Sequence, residues 1–186
     1  MSEYELMKFM HGLAEKNITT HHMVSFLGAG VYDHYVPSIV NHIISRSEFY
    51  TSYTPYQAEV SQGMLQAIFE YQTLMCELTA MDISNASLYD GASAVAEAAM
   101  MASRITRKQE VIISQAVHPE YRRTLETYAN NLELKVTEVP LENGVTNIDM
   151  MQELVSKKDA CVIMQSPNFF GYIENMELAA EVAHKK

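Results

Sequence analysis

The segment Ser87–Arg104 contains the residue types from which a phosphate-binding turn is built. Small residues at the start of a helix let backbone N–H groups approach an anion at the positive end of the helix dipole, and a glycine there can take a positive φ. A serine hydroxyl can add a further donor. The segment therefore predicts an anion site at Tyr89, Asp90, Gly91, Ala92 and Ser93. A structural alternative stays open, because Asp90 or Ser93 can simply cap the helix.

A tyrosine-rich segment, Phe49–Gly63, precedes the start of a long predicted helix. Aromatic rings with polar tips are common in loops at interfaces and pockets, because one end of the ring packs while the other forms hydrogen bonds. The pattern fits equally well a corner that docks on the protein's own surface. The residues predicted to lie at an interface or near a partner's active site are Tyr50, Tyr53, Thr54, Pro55, Tyr56, Gln57 and Glu59.

Two polar residues closely follow predicted strands. His118 comes after the strand 110–114, and Asn168 comes after the strand 160–164. In an open parallel sheet, ligands bind beyond the carboxyl ends of the strands, so both residues are candidates for lining a site there. Each also has an ordinary structural interpretation, His118 as a helix-entry residue before Pro119 and Asn168 as a turn residue.

Several classes of chemistry find little support in the residue types. His21 and His22 are adjacent, and the other histidines have no cysteine or carboxylate at ligand spacing, so we expect no metal site. No Gly-x-Ser-x-Gly sequence is present, which disfavours serine hydrolase chemistry. The net charge of -10 and the dispersed basic residues exclude the usual pattern of a nucleic-acid-binding protein.

Two further features bear on the cellular compartment. Cys76 and Cys161 lie in apolar runs, which predicts two reduced, structural thiols. No apolar run approaches the ~20 residues of a membrane-spanning helix, and the N-terminus lacks the basic and apolar regions of a signal peptide. We therefore expect a cytoplasmic protein without membrane contact.

Predicted helices and strands alternate along the second half of the chain. Helical periodicity predicts helices over 3–16, 37–45, 58–81, 92–104, 119–131, 148–157 and 175–185. Short apolar runs predict strands over 110–114, 134–139 and 160–164, and residues 21–37 predict an ordered loop. Strands that alternate with helices over short connections predict an α/β fold with a parallel sheet.

The last predicted strand, ACVIM, is apolar at every position. This pattern predicts a central strand that is covered by helices on both faces. A parallel sheet of three strands would leave an edge exposed, and the sequence ends inside the next predicted helix. We therefore expect the chain to be a fragment of a larger domain.

Long stretches of the sequence resemble one known family. The stretches FLGAGVYDHYVPSIVNHIISRSEFYTSYTPYQAEVSQG, SLYDGASAVAEAAMMASR, VHPEYR and QSPNFFGYIE closely resemble the α subunits of the two-subunit P-protein of the glycine cleavage system. The resemblance covers essentially the whole chain. It implies an incomplete large domain of the type I pyridoxal-phosphate-dependent transferase-like fold, with a mainly parallel sheet flanked by helices and a helical N-terminal segment.

The resemblance also implies a reaction. P-protein, an oxidoreductase and a heterotetramer, decarboxylates glycine with pyridoxal phosphate and transfers the aminomethyl group to the lipoyl group of the H-protein. The lysine that anchors the coenzyme belongs to the other subunit, glycine dehydrogenase subunit 2. The implied partners are that β subunit and the lipoylated H-protein, with the T-protein and the L-protein as further members of the system.

For individual residues, the resemblance implies no catalytic residue in this chain. It makes Tyr89–Ser93, His118 and Asn168 weak or vestigial cofactor contacts, or contacts across an interface, with His118 as a candidate ring-stacking residue. We expect no covalent pyridoxal phosphate, because the lysines lie at predicted helix ends, strand edges or termini, where an ammonium keeps its charge. These are Lys8, Lys16, Lys108, Lys135, Lys157, Lys158, Lys185 and Lys186.

In length the sequence differs from the family pattern, since family α subunits are much longer and begin with a segment absent here. We expect a single partial domain over 1–186, made of a helical and loop segment over 1–57 and the N-terminal part of the large domain over 58–186. The resemblance predicts that the fragment is inactive alone and functions within the glycine-decarboxylating complex. The alternative is a non-catalytic interaction or regulatory module derived from the same fold.

Overall fold

The computed structural model describes residues 1–26 and 33–185. Contacts between Cα atoms divide the chain into two compact units, Met1–Tyr32 and Asp33–Lys186. The boundary between these units in the sequence lies after Tyr32. The expected division at 57/58 stays a prediction. The expected loop 21–37 contains no helix or strand over 21–26 and 33–37, and its remaining residues lie outside the described ones.

In the first unit, helix α1 spans Glu3–Ala14, close to the predicted bounds. A capping box starts the helix, because the Glu5 N–H donates to Ser2 Oγ at 3.4 Å and the Ser2 N–H donates to a Glu5 carboxylate oxygen at 2.8 Å. The same Ser2 N–H is the main cause of a lowered pKa at Glu5. The helix buries none of its residues.

The second unit begins with three helices and continues as an α/β structure. The first helices are α2 (Ser38–Ile44), α3 (Ser47–Tyr50) and α4 (Gln62–Thr79). The remaining elements are α5 (Gly91–Thr106), β1 (Glu110–Ser114), α6 (Pro119–Asn130), β2 (Lys135–Val139), β3 (Leu141–Glu142), β4 (Val145–Thr146), α7 (Ile148–Leu154), β5 (Asp159–Ile163) and α8 (Met176–His184).

Three strands form a parallel sheet in the order β2-β1-β5. Ile112 of β1 pairs with Thr137 of β2 and with Val162 of β5. The predicted parallel sheet is therefore confirmed. The prediction that ACVIM is the central strand is wrong for the described sheet, in which β1 is central and β5 lies at an edge.

Helices cover this sheet on both faces, and this cover explains the apolar pattern of β5. On one face, Val111 and Ile113 pack with α5 and α6, and Cys161 and Ile163 of β5 join that cluster. On the other face, Ile112 packs with α7 and α8, and Val162 and Met164 join that second cluster. A strand covered on both sides is apolar at every position even when one of its edges has no neighbouring strand.

We call the described residues 1–26 and 33–90 the amino-terminal part, and residues 91–185 the α/β part. Every fully buried residue of the described chain lies in the α/β part. Helix α4 begins at Gln62 rather than 58, because Ala58–Val60 form a turn, and it ends where Ala80 takes a positive φ of 57°. Its predicted stripe is at most half-buried, at Met64, Ile68 and Met75, while Leu78 is exposed.

Candidate functional site

The carboxyl ends of β1 and β5 meet in a set of loops that contains most of the predicted site residues. The Phe169 N–H donates to the Ala116 carbonyl oxygen at 2.9 Å, which joins the loop after β5 to the loop after β1. The His118 N–H donates to Gln165 Oε1 at 2.9 Å and makes a second link between them. The prediction that His118 and the segment 166–174 share one end of the sheet is confirmed.

His118 lies at the start of α6 with its ring in an aromatic cluster. Its Nδ1 accepts the Glu120 N–H at 3.2 Å, so the residue caps the helix, as its structural interpretation predicts. The ring stacks on Tyr121 with a centroid distance of 4.9 Å and an interplanar angle of 28°. Phe169 meets it edge-on at 5.0 Å. The ring therefore has an aromatic neighbour of this chain on a face and another in edge contact.

The turn before α5 is held by a helix cap. Asp90 Oδ1 accepts the Ser93 N–H at 2.7 Å, and this hydrogen bond is the main cause of a lowered pKa at Asp90. The carboxylate therefore stays ionised at the positive end of the helix dipole. Asp90 therefore caps the helix, which is the structural alternative that the sequence left open. Tyr89, just before it, is almost fully exposed.

Gly91 is required for close packing and not for an unusual backbone conformation. It is the first residue of α5, and the described glycines with positive φ are Gly144 and Gly171. The expectation that Gly91 uses a positive φ is therefore wrong, because a residue inside a helix takes helical dihedrals. A Cβ at Gly91 would lie 2.5 Å from the Tyr121 hydroxyl oxygen and 2.8 Å from Tyr121 Cζ. The tyrosine ring thus covers the start of α5.

Asn168 is fully buried, with its side chain engaged by the protein's own groups. Its Nδ2 donates to the Gly144 carbonyl oxygen at 2.9 Å and to Glu174 Oε1 at 2.7 Å. Its Oδ1 accepts the N–H groups of Phe170 and Tyr172 at 2.9 and 3.1 Å. Asn168 therefore organises the turn after β5, in agreement with its structural interpretation, and leaves no polar atom free for a ligand.

The buried Glu174 carboxylate ties this turn to the β3–β4 hairpin. Its two oxygens accept the Thr146 N–H at 3.2 and 3.1 Å, and Thr146 Oγ1 lies 2.6 Å from Ser114 Oγ at the end of β1. A buried carboxylate needs such donors, because burial without hydrogen bonds is costly. Hydrogen bonds thereby join the loops after β1, β2 and β5 to one another at this end of the sheet.

The tyrosine-rich segment has a different environment. Tyr50, Tyr53 and Tyr56 are 79%, 88% and 80% exposed, and the rings of Tyr53 and Tyr56 lie 6.3 Å apart. The Tyr56 N–H donates to the Thr54 carbonyl oxygen at 2.8 Å, which forms a tight turn at Pro55. These exposures contradict docking of the rings on the protein's own surface among the described residues. The interface hypothesis stays a prediction.

The thiols and lysines of the described residues differ in burial. Burial, with a contribution from the Asp159 carboxylate, raises the pKa of the Cys161 thiol to about 11, and both Cys76 and Cys161 are free thiols. Lys108 is half-buried, and its Nζ donates to the Asp159 carbonyl oxygen at 3.0 Å. The other described lysines are exposed, and Lys186 lies outside the described residues. No helix of the described chain is long and apolar enough to cross a membrane.

Comparison with known proteins identifies the family. Residues 1–186 match the family described as glycine cleavage system P-protein. The chain belongs to this family. A solved structure, described as the crystal structure of glycine decarboxylase (P-protein) of the glycine cleavage system in inhibitor-bound form, matches with a TM-score of 0.88 and 44% sequence identity. That match covers 100% of this chain and 41% of the solved chain, and it confirms the α/β fold class.

Two curated relatives also match the whole of this chain and part of their own length. Probable glycine dehydrogenase (decarboxylating) subunit 1 from Bacillus cytotoxicus is 56% identical over 185 residues, covering 100% of this chain and 41% of the relative. The protein of the same description from Geobacillus kaustophilus is 53% identical over 185 residues with the same coverage. The resemblance inferred from the sequence is confirmed. The chain spans 41% of the length of these relatives.

Sequence reasoning missed two residues that shape the cluster. Tyr121 lies three positions after the cap residue His118, a spacing that places both on one side of the first helical turn, and this spacing was the available signal. Glu174 had no comparable signal, because a single glutamate in a polar segment is usually solvated. Its carboxylate accepts the Thr146 N–H from the β3–β4 hairpin, which is distant in sequence, as well as a hydrogen bond from Asn168 Nδ2.

Proposed function

We propose that this chain is part of the α subunit of a glycine-decarboxylating P-protein and works in a complex with a subunit that carries the coenzyme-anchoring lysine. The observation that carries the proposal is the family match over all 186 residues together with 44% identity to a solved glycine decarboxylase. In this proposal pyridoxal phosphate acts as the electron sink for loss of the glycine carboxylate on the partner subunit. The aminomethyl group then passes to the lipoyl group of the H-protein.

The contribution of this chain is to build the surface against which the partner's site closes. Tyr50, Tyr53 and Tyr56 supply rigid rings with hydroxyl tips, and all three are largely exposed in the described structure. Thr54, Gln57 and Glu59 add exposed polar groups to the same loop. Such a mixture can exclude water from a neighbouring site while its polar tips orient a small polar substrate. We propose that the loop Tyr50–Glu59 lies at the subunit interface.

The experiment is co-expression of the tagged chain with the lysine-bearing subunit. We expect the two to purify together, and we expect CO2 release from glycine to require both polypeptides together with lipoylated H-protein. Recovery of the chain without that subunit, with some other partner bound, would instead support the alternative of a non-catalytic interaction module. The assay therefore separates the two functions by the identity of the partner.

Substitutions within the assembled complex test the loop. Tyr53→Ala and Tyr56→Ala should lower the rate of glycine decarboxylation at least tenfold while the melting temperature of the complex changes little, because both rings are largely exposed in the described structure. Tyr35→Ala is the matched control, since Tyr35 is 90% exposed and lies outside the loop. Unchanged rates in both loop variants would reject the placement of the loop at the active site.

A further inference from the structure

The start of α5 is where the family's coenzyme would need backbone donors and open space. This inference rests on the proposed function, since it concerns the pyridoxal phosphate that the family implies. Phosphate groups bind helix N-termini through free N–H groups and through a glycine that permits close approach. At this turn the close approach would occur at Gly91, which is the only residue of the turn without a side chain.

The space above Gly91 is taken by this chain. Tyr121 places its hydroxyl oxygen 2.5 Å, its Cζ 2.8 Å and its Cε2 3.1 Å from the position that a Cβ on Gly91 would occupy. The glycine hydrogen thus faces the edge of a phenol ring rather than an open cradle. The absence of a side chain at 91 serves the packing of α5 against α6, and it provides no room for a phosphate at that point.

One backbone donor at this helix end is already used, and its charge is already balanced by a carboxylate. The Ser93 N–H, one of the groups that a phosphate would use, donates to the Asp90 carboxylate at 2.7 Å. That carboxylate is an anion at the positive helix end, so a phosphate would meet repulsion where an anion site needs attraction. His118, the candidate stacking residue, already stacks on Tyr121 at 4.9 Å and contacts Phe169 at 5.0 Å.

We propose that Tyr121 and Asp90 together close the start of α5 to pyridoxal phosphate and to inorganic phosphate. The residues present do not fit the coenzyme, and the two side chains that prevent the fit lie on different elements. Tyr121 excludes it by volume, and Asp90 excludes it by charge. In this chain the turn therefore serves as a packing contact between α5 and α6.

The test is a double variant of the full chain, Asp90→Asn/Tyr121→Leu. Asparagine is as good a helix cap as aspartate but carries no charge, and leucine keeps the tyrosine stem while it removes the ring atoms near Gly91. The probes are pyridoxine phosphate, whose alcohol group cannot react with lysines, and inorganic phosphate, both measured by equilibrium dialysis. We expect no saturable binding to the wild-type chain and at least tenfold tighter binding of both probes to the double variant.

The matched control is Glu126→Gln/Tyr128→Leu, which makes the same changes of charge and size on α6. Tyr128 packs on the same core cluster as Tyr121, so the control reports any general loosening of that packing. Circular dichroism checks the fold of each variant, and Tyr121→Val replaces the leucine substitution if that variant does not fold. A Tyr121→Phe exchange keeps the ring and should bind no better than wild type.

Three results would overturn the proposal. They are saturable binding of pyridoxine phosphate to the wild-type chain, equal binding by the control and the test variant, and no gain in the test variant. The co-expression experiment measures partner capture and decarboxylation instead. A failure there would remove the proposed function without changing the binding results, so the two proposals fail in distinguishable ways.

Discussion

The amino-terminal part and the α/β part contain similar apolar periodicity, but they use it differently. Leu125 of α6 is fully buried within a cluster that α5, α6 and the sheet build together, whereas Leu74 of α4 is 59% exposed. Helical periodicity specifies a face, and burial of that face requires a second element in contact with it. The α/β part is therefore stabilised by its own contacts, while α1–α4 have no buried residue among those that the structure describes.

The largest expected effect tests this comparison directly. Leu125→Ala should lower the free energy of unfolding by about 2–5 kcal/mol, because it leaves a cavity in a closed cluster. Leu74→Ala makes the same chemical change on an exposed site and should cost less than about 0.5 kcal/mol. Urea denaturation followed by circular dichroism measures both. Similar losses in the two variants would mean that α4 is as well packed as α6, and the comparison would be wrong.

A second experiment sharpens the comparison inside the α/β part. Asn168→Ala removes four hydrogen bonds and leaves the buried Glu174 carboxylate without one of its donors. We expect a loss of about 1–3 kcal/mol in unfolding free energy, the usual cost of an unsatisfied buried polar group. Asn130→Ala, at an exposed position of α6, is the control. If Asn168→Ala lowers the unfolding free energy no more than Asn130→Ala does, the hydrogen bonds of Asn168 do not stabilise the loops.

The elements of the α/β part were largely predictable from the sequence, because each has a local signal. The strand Glu110–Ser114 was predicted with its observed bounds, and Pro119 marked the start of α6. The order of the strands was not predictable in this way. ACVIM is apolar because helices cover both of its faces, and that pattern does not tell an edge strand from a central one.

The site was predictable in its location and not in its contacts. His118 and Asn168 were both placed at the carboxyl end of the sheet by the rule for parallel strands. Some of their partners come from elsewhere in the chain, as the Asn168 contact with Gly144 and the His118 contact with Phe169 show. Contacts of this kind depend on tertiary packing, which a local pattern does not encode. The same reason explains why Gly91 suggested backbone freedom when its role is contact with Tyr121.

The next prediction concerns the junction between the two parts, where α5 begins. Gly91→Ala should destabilise the wild-type chain, because the new Cβ overlaps Tyr121. In a Tyr121→Ala background the same substitution should be neutral or stabilising, since alanine favours helix over glycine. The double-mutant cycle should give a coupling of about 1 kcal/mol, within the range for residues in contact. Additive effects of the two substitutions would show that the contact carries no energy.

The last expected effect is confined to alkaline pH and arises from Cys161. Burial first, and the Asp159 carboxylate second, raise the pKa of this thiol from 9.0 to about 11 in the folded chain. Because the folded pKa lies above the unfolded one, the folded state holds its proton more tightly. The resulting stability is fully present below pH 9 and decreases as the pH rises through about 11. Urea denaturation between pH 8 and pH 11 should therefore show a decline that Cys161→Ala lacks.

Alkylation gives an independent measurement of the same half-buried thiol. The thiolate is the reactive form, and a pKa of about 11 instead of 9.0 lowers its fraction at pH 8 by roughly 100-fold. We expect iodoacetamide to modify Cys161 far more slowly in the folded chain than in urea, with each site followed by mass spectrometry. A folded-state rate close to the unfolded one would indicate that β5 is accessible on the face that packs against α5. The accessibility of Cys161 would then be set by the edge position of β5 and not by its cover by helices. The difference in burial between the α/β part and the amino-terminal part would not hold at this strand.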